Sequence, residues 1–447
     1  MAGAVPEGRP PAARLNGPVA GVVARRTVGV EESLPLLETL PLALQHLFAM
    51  FGATVLVPFL FKVDPSTSLL LNGVGTLVYL VVAKGRIPAY LGSSFAFISP
   101  VLAVVALPGE GYAAAQGGFV VFGLFFVAVS QLVRVVGTRW IDLLFPPAAM
   151  GAIVAVIGLE LAPVAAGMAG LTGDPLKELG IPTGKAIAVS MLTLAVTLLS
   201  TLLGRGFVAI VPILLGVLAG YGASLLLGLV DLGPVAAAPW LALPSLQPPV
   251  FHAGAILMIL PACLVVLVEH VGHLVLTGHV VGKDLVRDPG LHRSLLGDGI
   301  SNVLSGLCGA TPNTTYGENI GVMAITRVYS VRVIGGAAIL AVVISFVGKL
   351  SALVRSIPTP VMGGVCLLLF GVIASAGVRM LVEKRVDYTV PANLVLTSIV
   401  FVVSLSGATV HVGSVPLKGM ALGTAAVLAL SLLLALFRKR DVSATEG

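Results

Sequence analysis

Four acids interrupt otherwise apolar stretches of this chain: Glu160, Glu269, Asp298 and Glu318. A charged side chain at the centre of a bilayer costs about 2.5–3.5 kcal/mol on insertion scales, so acids placed there call for a partner or a ligand. Glu269 opens the run Glu269-His270-Val271-Gly272-His273. Residues four apart on a helix share a face, so Glu269 and His273 point the same way and His270 lies about 100° around. A carboxylate beside a titratable imidazole suits a ligand with N–H donors and the passage of a proton; the alternative is a polar pair that holds helices together. Glu318 stands just before Asn319-Ile320-Gly321, where a half-helix would offer free N–H groups and a positive dipole end. It reads as an acceptor for ligand N–H groups, with simple capping as the alternative. Phe95 holds the corresponding place earlier in the chain and suits stacking on a flat ring, or plain core packing. Gln45-His46 reads as hydrogen-bonding support, with interhelical glue as its alternative. Glu160, near the end of its span and the outer interface, and Asp298, in Gly297-Asp298-Gly299, read as structural. Glu269-His270-x-x-His273 only superficially resembles zinc-ligand spacing: His-Glu-x-x-His is absent and no further acid or cysteine completes a tetrahedral set. No nucleophile–base pair is evident either, so the reading is no metal, no catalytic residue and no enzyme.

The elements that must carry these residues follow from composition. The chain has 447 residues, 57% hydrophobic and 10% charged, with a mean hydropathy of +1.06. A soluble domain is about a quarter charged, so this chain cannot clothe a globular surface. Apolar runs near 20 residues recur, which predicts helical spans, and the alternating ten-residue segments of a barrel are missing. The net charge of +6 therefore reflects the bilayer and not nucleic acid. Fourteen segments between residues 38 and 437 are expected, both ends cytoplasmic. That count puts twenty of the 26 basic residues inside and six outside: Lys62, Lys177, Lys185, Lys349, Arg355 and Lys418. Residues 1–33 read as a disordered tail, and Cys263, Cys308 and Cys366, all in apolar segments, as packing residues.

Two segments are poor continuous helices. Ile87–Pro100 carries Gly92, Ser93, Ser94 and Ser99, and Thr311–Gly321 opens on polar residues and glycine. Each reads as a short extended stretch followed by a half-helix, which membrane depth tolerates only when buried or lining a cavity. They occupy matching places: Tyr90 precedes Tyr316, Gln45-His46 precedes Glu269-His270, and Pro146-x-x-x-Met150-Gly151 precedes Pro358-x-x-x-Met362-Gly363, at similar offsets. This ordering predicts an internal repeat of seven spans, and an odd count inverts the second copy. Paired broken helices in inverted repeats point to a secondary transporter.

The stretch from Glu269-His-Val-Gly-His273 through Asn313-Thr-Thr-Tyr-Gly-Glu-Asn-Ile-Gly-Val-Met-Ala-Ile-Thr-Arg327, with Gln45-His46 in the first span, resembles the nucleobase–ascorbate transporter family. Pro88–Pro100 and Lys283–Arg293 look like its bacterial uracil permease branch. The resemblance covers roughly residues 33–440. It implies an all-α polytopic fold of two inverted seven-span repeats, broken in spans 3 and 10. It also implies a core domain (34–138 and 252–355), a gate domain (139–251 and 356–440) and a tail at 441–447. The implied activity is proton-coupled uptake of uracil across the cytoplasmic membrane, with no cofactor beyond the proton. Glu269 and Glu318 are expected to accept the pyrimidine N–H groups, and Phe95 and Gly317 to meet the carbonyls through backbone amides, with Tyr316 alongside. His273, with Glu269, is expected to couple protons, supported by Gln45, His46 and Asn319. Phe370 stands where the uracil permease pattern carries a tyrosine. The expected partners are uracil, the lipid bilayer and a second copy through the gate domain. The rival readings are a xanthine or urate permease, and an anion exchanger or channel on the same architecture. The latter would want a neutral or basic residue where Glu269 stands.

Overall fold

The computed structural model describes residues 27–445, apart from residues 110, 173–175, 177–179 and 413–414; most of the tail expected at 1–33, and residues 446–447, lie outside these. The helices run in order α1 Leu36–Ala49, α2 Phe51–Phe61, α3 Pro65–Val82, α4 Ile98–Val105, α5 Tyr112–Val136, α6 Arg139–Leu144, α7 Pro147–Glu160, α8 Ala162–Met168, α9 Thr183–Leu203 and α10 Pro212–Leu226. They continue with α11 Gly233–Ala237, α12 Ala253–Val281, α13 Leu291–Cys308, α14 Gly317–Thr326, α15 Val331–Ser345, α16 Gly348–Arg355, α17 Thr359–Glu383, α18 Pro391–Leu405 and α19 Gly419–Thr445. Several open as their sequences dictate: α3, α7, α10, α17 and α18 each have proline in the first turn, where the missing N–H costs nothing. Among the described residues, α3, α5, α7 with α8, α9, α12 and α17 are long and apolar enough to cross a membrane.

The first of the expected spans is broken by 41° between α1 and α2. The cause lies in its hydrogen-bond ladder. Asn319 Nδ2 donates to the His46 carbonyl at 3.3 Å, and the competing helical bond from Met50 N stretches to 3.4 Å. A side chain inserted into the ladder in this way is a recognised origin of a kink.

Two short two-stranded sheets accompany the helices. One is the hairpin of β3 (Thr409–Val412) and β4 (Val415–Lys418) before α19. The other joins the two interrupted segments: β1 (Leu91–Ser93) runs antiparallel to β2 (Asn313–Thr315), with Gly92 opposite Thr314. Ser94 N donates to the Pro312 carbonyl at 2.8 Å and Tyr316 N to the Tyr90 carbonyl at 3.0 Å. Extended backbone at this depth must satisfy its polar groups internally, and each crossing does so through the other. Beyond β1 a tight turn at Phe95–Phe97 leads into α4, and beyond β2 the chain enters α14. Both segments are thus a strand followed by a half-helix.

Helices pack in two sets. In one, α3 and α5 close on α13, α15 lies against α1 and α3, and α12 lies against α5. In the other, α17 packs on α7, α8 and α9, α10 on α9, and α18 on α7 and α19. Small residues permit the closest approaches: a Cβ at Gly123 would meet Val303 N at 2.5 Å between α5 and α13, and one at Gly377 would meet Ala155 N at 2.2 Å between α17 and α7. Such contacts replace the hydrophobic driving force that lipid does not supply between helices.

Candidate functional site

The site forms where α12 passes the paired crossings. His273 Nδ1 lies 3.1 Å from Thr315 Oγ1, and its Nε2 lies 3.3 Å from the point a Cβ on Gly317 would occupy. One helical turn away, Glu269 is close enough to Glu318 for the two carboxylates to feel each other's field. Glu269 Oε2 is buried and has no hydrogen-bond partner among the described residues; Ser94 Oγ, just beyond β1, and Thr314 Oγ1, in the middle of β2, are in the same condition. Unsatisfied buried polar atoms are costly and demand explanation. Phe95, half-buried, begins the turn that packs against α12. Gly317 opens α14, and the preceding Tyr316 supplies no side-chain cap, so the first N–H groups of that half-helix stay available.

The expected supporting residues divide. Asn319 Nδ2 lies 3.0 Å from His46 Nδ1 and also reaches the His46 carbonyl, tying α14 to the α1 kink. Tyr316 donates its hydroxyl to the Ser93 carbonyl at 3.0 Å, so that hydroxyl pins the crossings together. The side chains of Gln45, half-buried beside His46, and of Phe370 make no hydrogen bond or ring contact among the described residues. Phe370 is 1% exposed, and its carbonyl lies against Gly158 of α7.

A chain of buried polar groups behind the site is richer than the sequence reading of Asp298 anticipates. His270 Nδ1 is 2.8 Å from Asp298 Oδ2, both side chains fully buried. His270 Nε2 pairs with Ser294 Oγ at 2.7 Å, and Ser294 with Tyr79 OH at 2.7 Å. Asn302 donates to Asp298 Oδ1 at 3.0 Å and clamps β2 through both main-chain groups of Asn313, at 2.6 and 3.0 Å. The signal was present as Ser294, Asp298 and Asn302 at four-residue spacing, one polar stripe along a helix. A separate apolar cavity of about 470 Å³ lies between α2 and α10, lined by Met50, Thr54, Val217 and Tyr221 among others, and does not include Glu269 or Glu318.

The family model described as Permease family, Xan_ur_permease, matches residues 37–413. The uracil permease of Escherichia coli (strain K12) is 61% identical over 411 residues, 92% of this chain and 94% of that protein. The uracil permease of Paenibacillus larvae is 56% identical over 407 residues, 91% and 96% of the two chains. Among solved structures, the transmembrane domain of a cyanobacterium bicarbonate transporter, BicA, superposes with a TM-score of 0.60 at 17% identity, covering 92% of this chain and 99% of that one; that likeness is one of fold.

Proposed function

We propose that this chain, which belongs to the Permease family (Xan_ur_permease), is a secondary transporter that carries uracil across the cytoplasmic membrane in symport with protons. Membership makes it a transporter and not an enzyme. The observation that carries the uracil reading is the buried, unpartnered Oε2 of Glu269, set within electrostatic reach of Glu318 at the start of a half-helix. Uracil is planar, with two N–H donors and two carbonyl acceptors. Two carboxylates, the free amides at Phe95 and Gly317 and the Phe95 ring complement that pattern, and a few placed polar groups suffice to orient a small ligand. Tyr316 would wall the site, its hydroxyl being engaged elsewhere. The same pair of acids disfavours an anion as cargo, although a bicarbonate transporter shares the fold. A proton on His273 would stabilise an ionised Glu269, which then accepts a pyrimidine N–H; loading of proton and uracil would assist each other.

The architecture we infer counts fourteen crossings, with α1–α2 and α7–α8 as one each, each strand with its half-helix as one, and α6, α11 and α16 as linkers. The helix set α1–α5 with α12–α15 would be the core domain and α7–α10 with α17–α19 the gate. The antiparallel pairing of β1 with β2 suits inverted repeats. Both termini would be cytoplasmic, and a dimer would form through the gate.

The test is uptake of labelled uracil in cells lacking their own uracil uptake, challenged with unlabelled uracil, xanthine, ascorbate and sulfate. Uracil alone should compete strongly. Glu269→Gln and Glu318→Gln should each weaken uracil binding about 5- to 150-fold, since each turns part of an acceptor surface toward the ligand as a donor and leaves a donor unpaired, at about 1–3 kcal/mol. Binding near wild type in both variants removes the site.

A further inference from the structure

Glu160 was expected to be structural and close to an interface. It ends α7, in the second helix set, and Ser99 of α4, the half-helix behind the first crossing, donates its hydroxyl to Glu160 Oε1 at 2.5 Å. The other oxygen, Oε2, accepts the backbone N–H of Met420 at 2.8 Å, in the first turn of α19. A carboxylate at a helix N-terminus is favoured by the dipole of the helix. Lys418, immediately before α19, is also close enough to contribute its field. The place is shaped around this side chain: a Cβ on Gly419 would fall 1.9 Å from Glu160 Oε1, and Gly419 has φ +57°, a conformation glycine adopts at no steric cost.

We propose that Glu160 is the positioning residue through which the second helix set holds the half-helix α4, and that this grip must release when the two sets move past each other during transport. Three facts carry it. The Ser99–Glu160 bond joins residues from the two sets, whereas Glu160 is otherwise anchored within its own set by Met420. Ser99 lies one helical turn beyond Phe95, whose backbone amide is assigned to the ligand, so the grip holds the half-helix that travels with the site without itself touching the ligand. The contact is short and charge-assisted, the stronger class of hydrogen bond. Glu160 touches no substrate in this scheme: it acts through α4. The inference rests on the transport reading only for its kinetic arm.

The experiment compares Ser99→Ala, Glu160→Ala, their double variant and Glu160→Gln in purified, membrane-reconstituted protein. The glutamine can still accept from Met420 N while donating to Ser99 Oγ. Hydrogen exchange followed by mass spectrometry should rise in α4 and in the first turn of α19 for Glu160→Ala, rise in α4 for Ser99→Ala, and return toward wild type for Glu160→Gln. Uracil uptake at saturation should change at least threefold in Ser99→Ala while the uracil Kd stays within twofold, a split that a merely structural role does not produce. The double variant should resemble Glu160→Ala alone, because Glu160→Ala already removes the one contact that Ser99→Ala removes. Wild-type exchange in α4 and wild-type turnover in Ser99→Ala, or effects that simply add, would overturn the grip. If Glu160→Ala fails to fold, Ser99→Ala and Glu160→Gln still decide it. A wild-type protein that takes up no uracil defeats the transport reading instead, and the exchange arm still judges the contact.

Discussion

Gly92→Ala isolates how far the site depends on the paired crossings. Gly92 is the middle residue of β1, and a Cβ there would stand 2.3 Å from Tyr316 Cζ and 2.7 Å from its hydroxyl oxygen. Favourable carbon contacts begin at about 3.5 Å, so the shortfall exceeds about 1 Å. Tyr316 is 3% exposed and its hydroxyl is held by the Ser93 carbonyl, so relief comes by moving the ring together with the backbone of β2 and α14. That displacement breaks the Tyr316–Ser93 bond and carries Glu318, two residues on, away from its place. Overpacking costs about 1–3 kcal/mol, and loss of the hydrogen bond about 0.5–1.5 kcal/mol more. If about 2 kcal/mol of this appears in binding, the uracil Kd weakens about 30-fold. Equilibrium binding of labelled uracil to purified protein, beside a thermal melt, reads both parts. Tyr316→Phe is the control: it removes the hydroxyl without adding bulk, so its Kd should change only a few-fold. A Gly92→Ala protein with wild-type Kd and melting temperature would refute the claim that the two crossings are wedged together by Tyr316.

Asn319→Ala should leave the buried His46 without its partner, at about 1–3 kcal/mol, relieve the competition at the α1–α2 bend, and lower uracil uptake at least about tenfold; uptake and the melting temperature check it together. Uptake should rise as external pH falls from about 8 to 6 and collapse with a protonophore, because the chain carries no phosphate-cradling Gly-rich loop for ATP; His273→Ala should flatten that pH response, and uptake that follows sodium and ignores pH defeats the proton assignment. At the end of the α2–α3 connection, burial raises the Asp64 pKa, but hydrogen bonds from Arg355 and Ser66 and the Arg355 charge outweigh it and leave it below the usual carboxylate value. A depressed native pKa contributes stability above the unfolded value that is lost as pH falls through the native one, so melting should worsen below about pH 4 and less so in Asp64→Asn. Asp64→Ala should cost more than Asp64→Asn at neutral pH, by about 1 kcal/mol, because it also removes the cap that accepts from Ser66 N; equal melting temperatures would show that the cap contributes nothing.

Much of this protein could be read from residue order because the bilayer is a stringent solvent. Long apolar runs must be helical there, and Gly92, Ser93 and Ser94, or Thr311 through Gly317, cannot continue such a helix, so the two broken segments and the acids beside them stood out unaided. Helical spacing alone placed Glu269 and His273 on one face. That spacing is local, set by 3.6 residues per turn, and no partner is needed to establish it.

Pairings between distant residues were not legible, because backbone and side-chain hydrogen bonds leave no periodicity in sequence. Asn319 reaches back to His46, 273 positions earlier, to bend the first span; Ser99 meets Glu160 across the helix sets; β1 finds β2. Gln45 and Phe370, plausible by place in the chain, joined no polar contact. Composition, periodicity and charge bias determined which segments enter the membrane and which polar residues go in with them. Only the tertiary structure decided which of those polar groups satisfy one another and which, like Glu269 Oε2, are left without a partner among the described residues. The physical reason is that burial penalises an unpaired polar atom, and which partner is available is settled by how the helices pack.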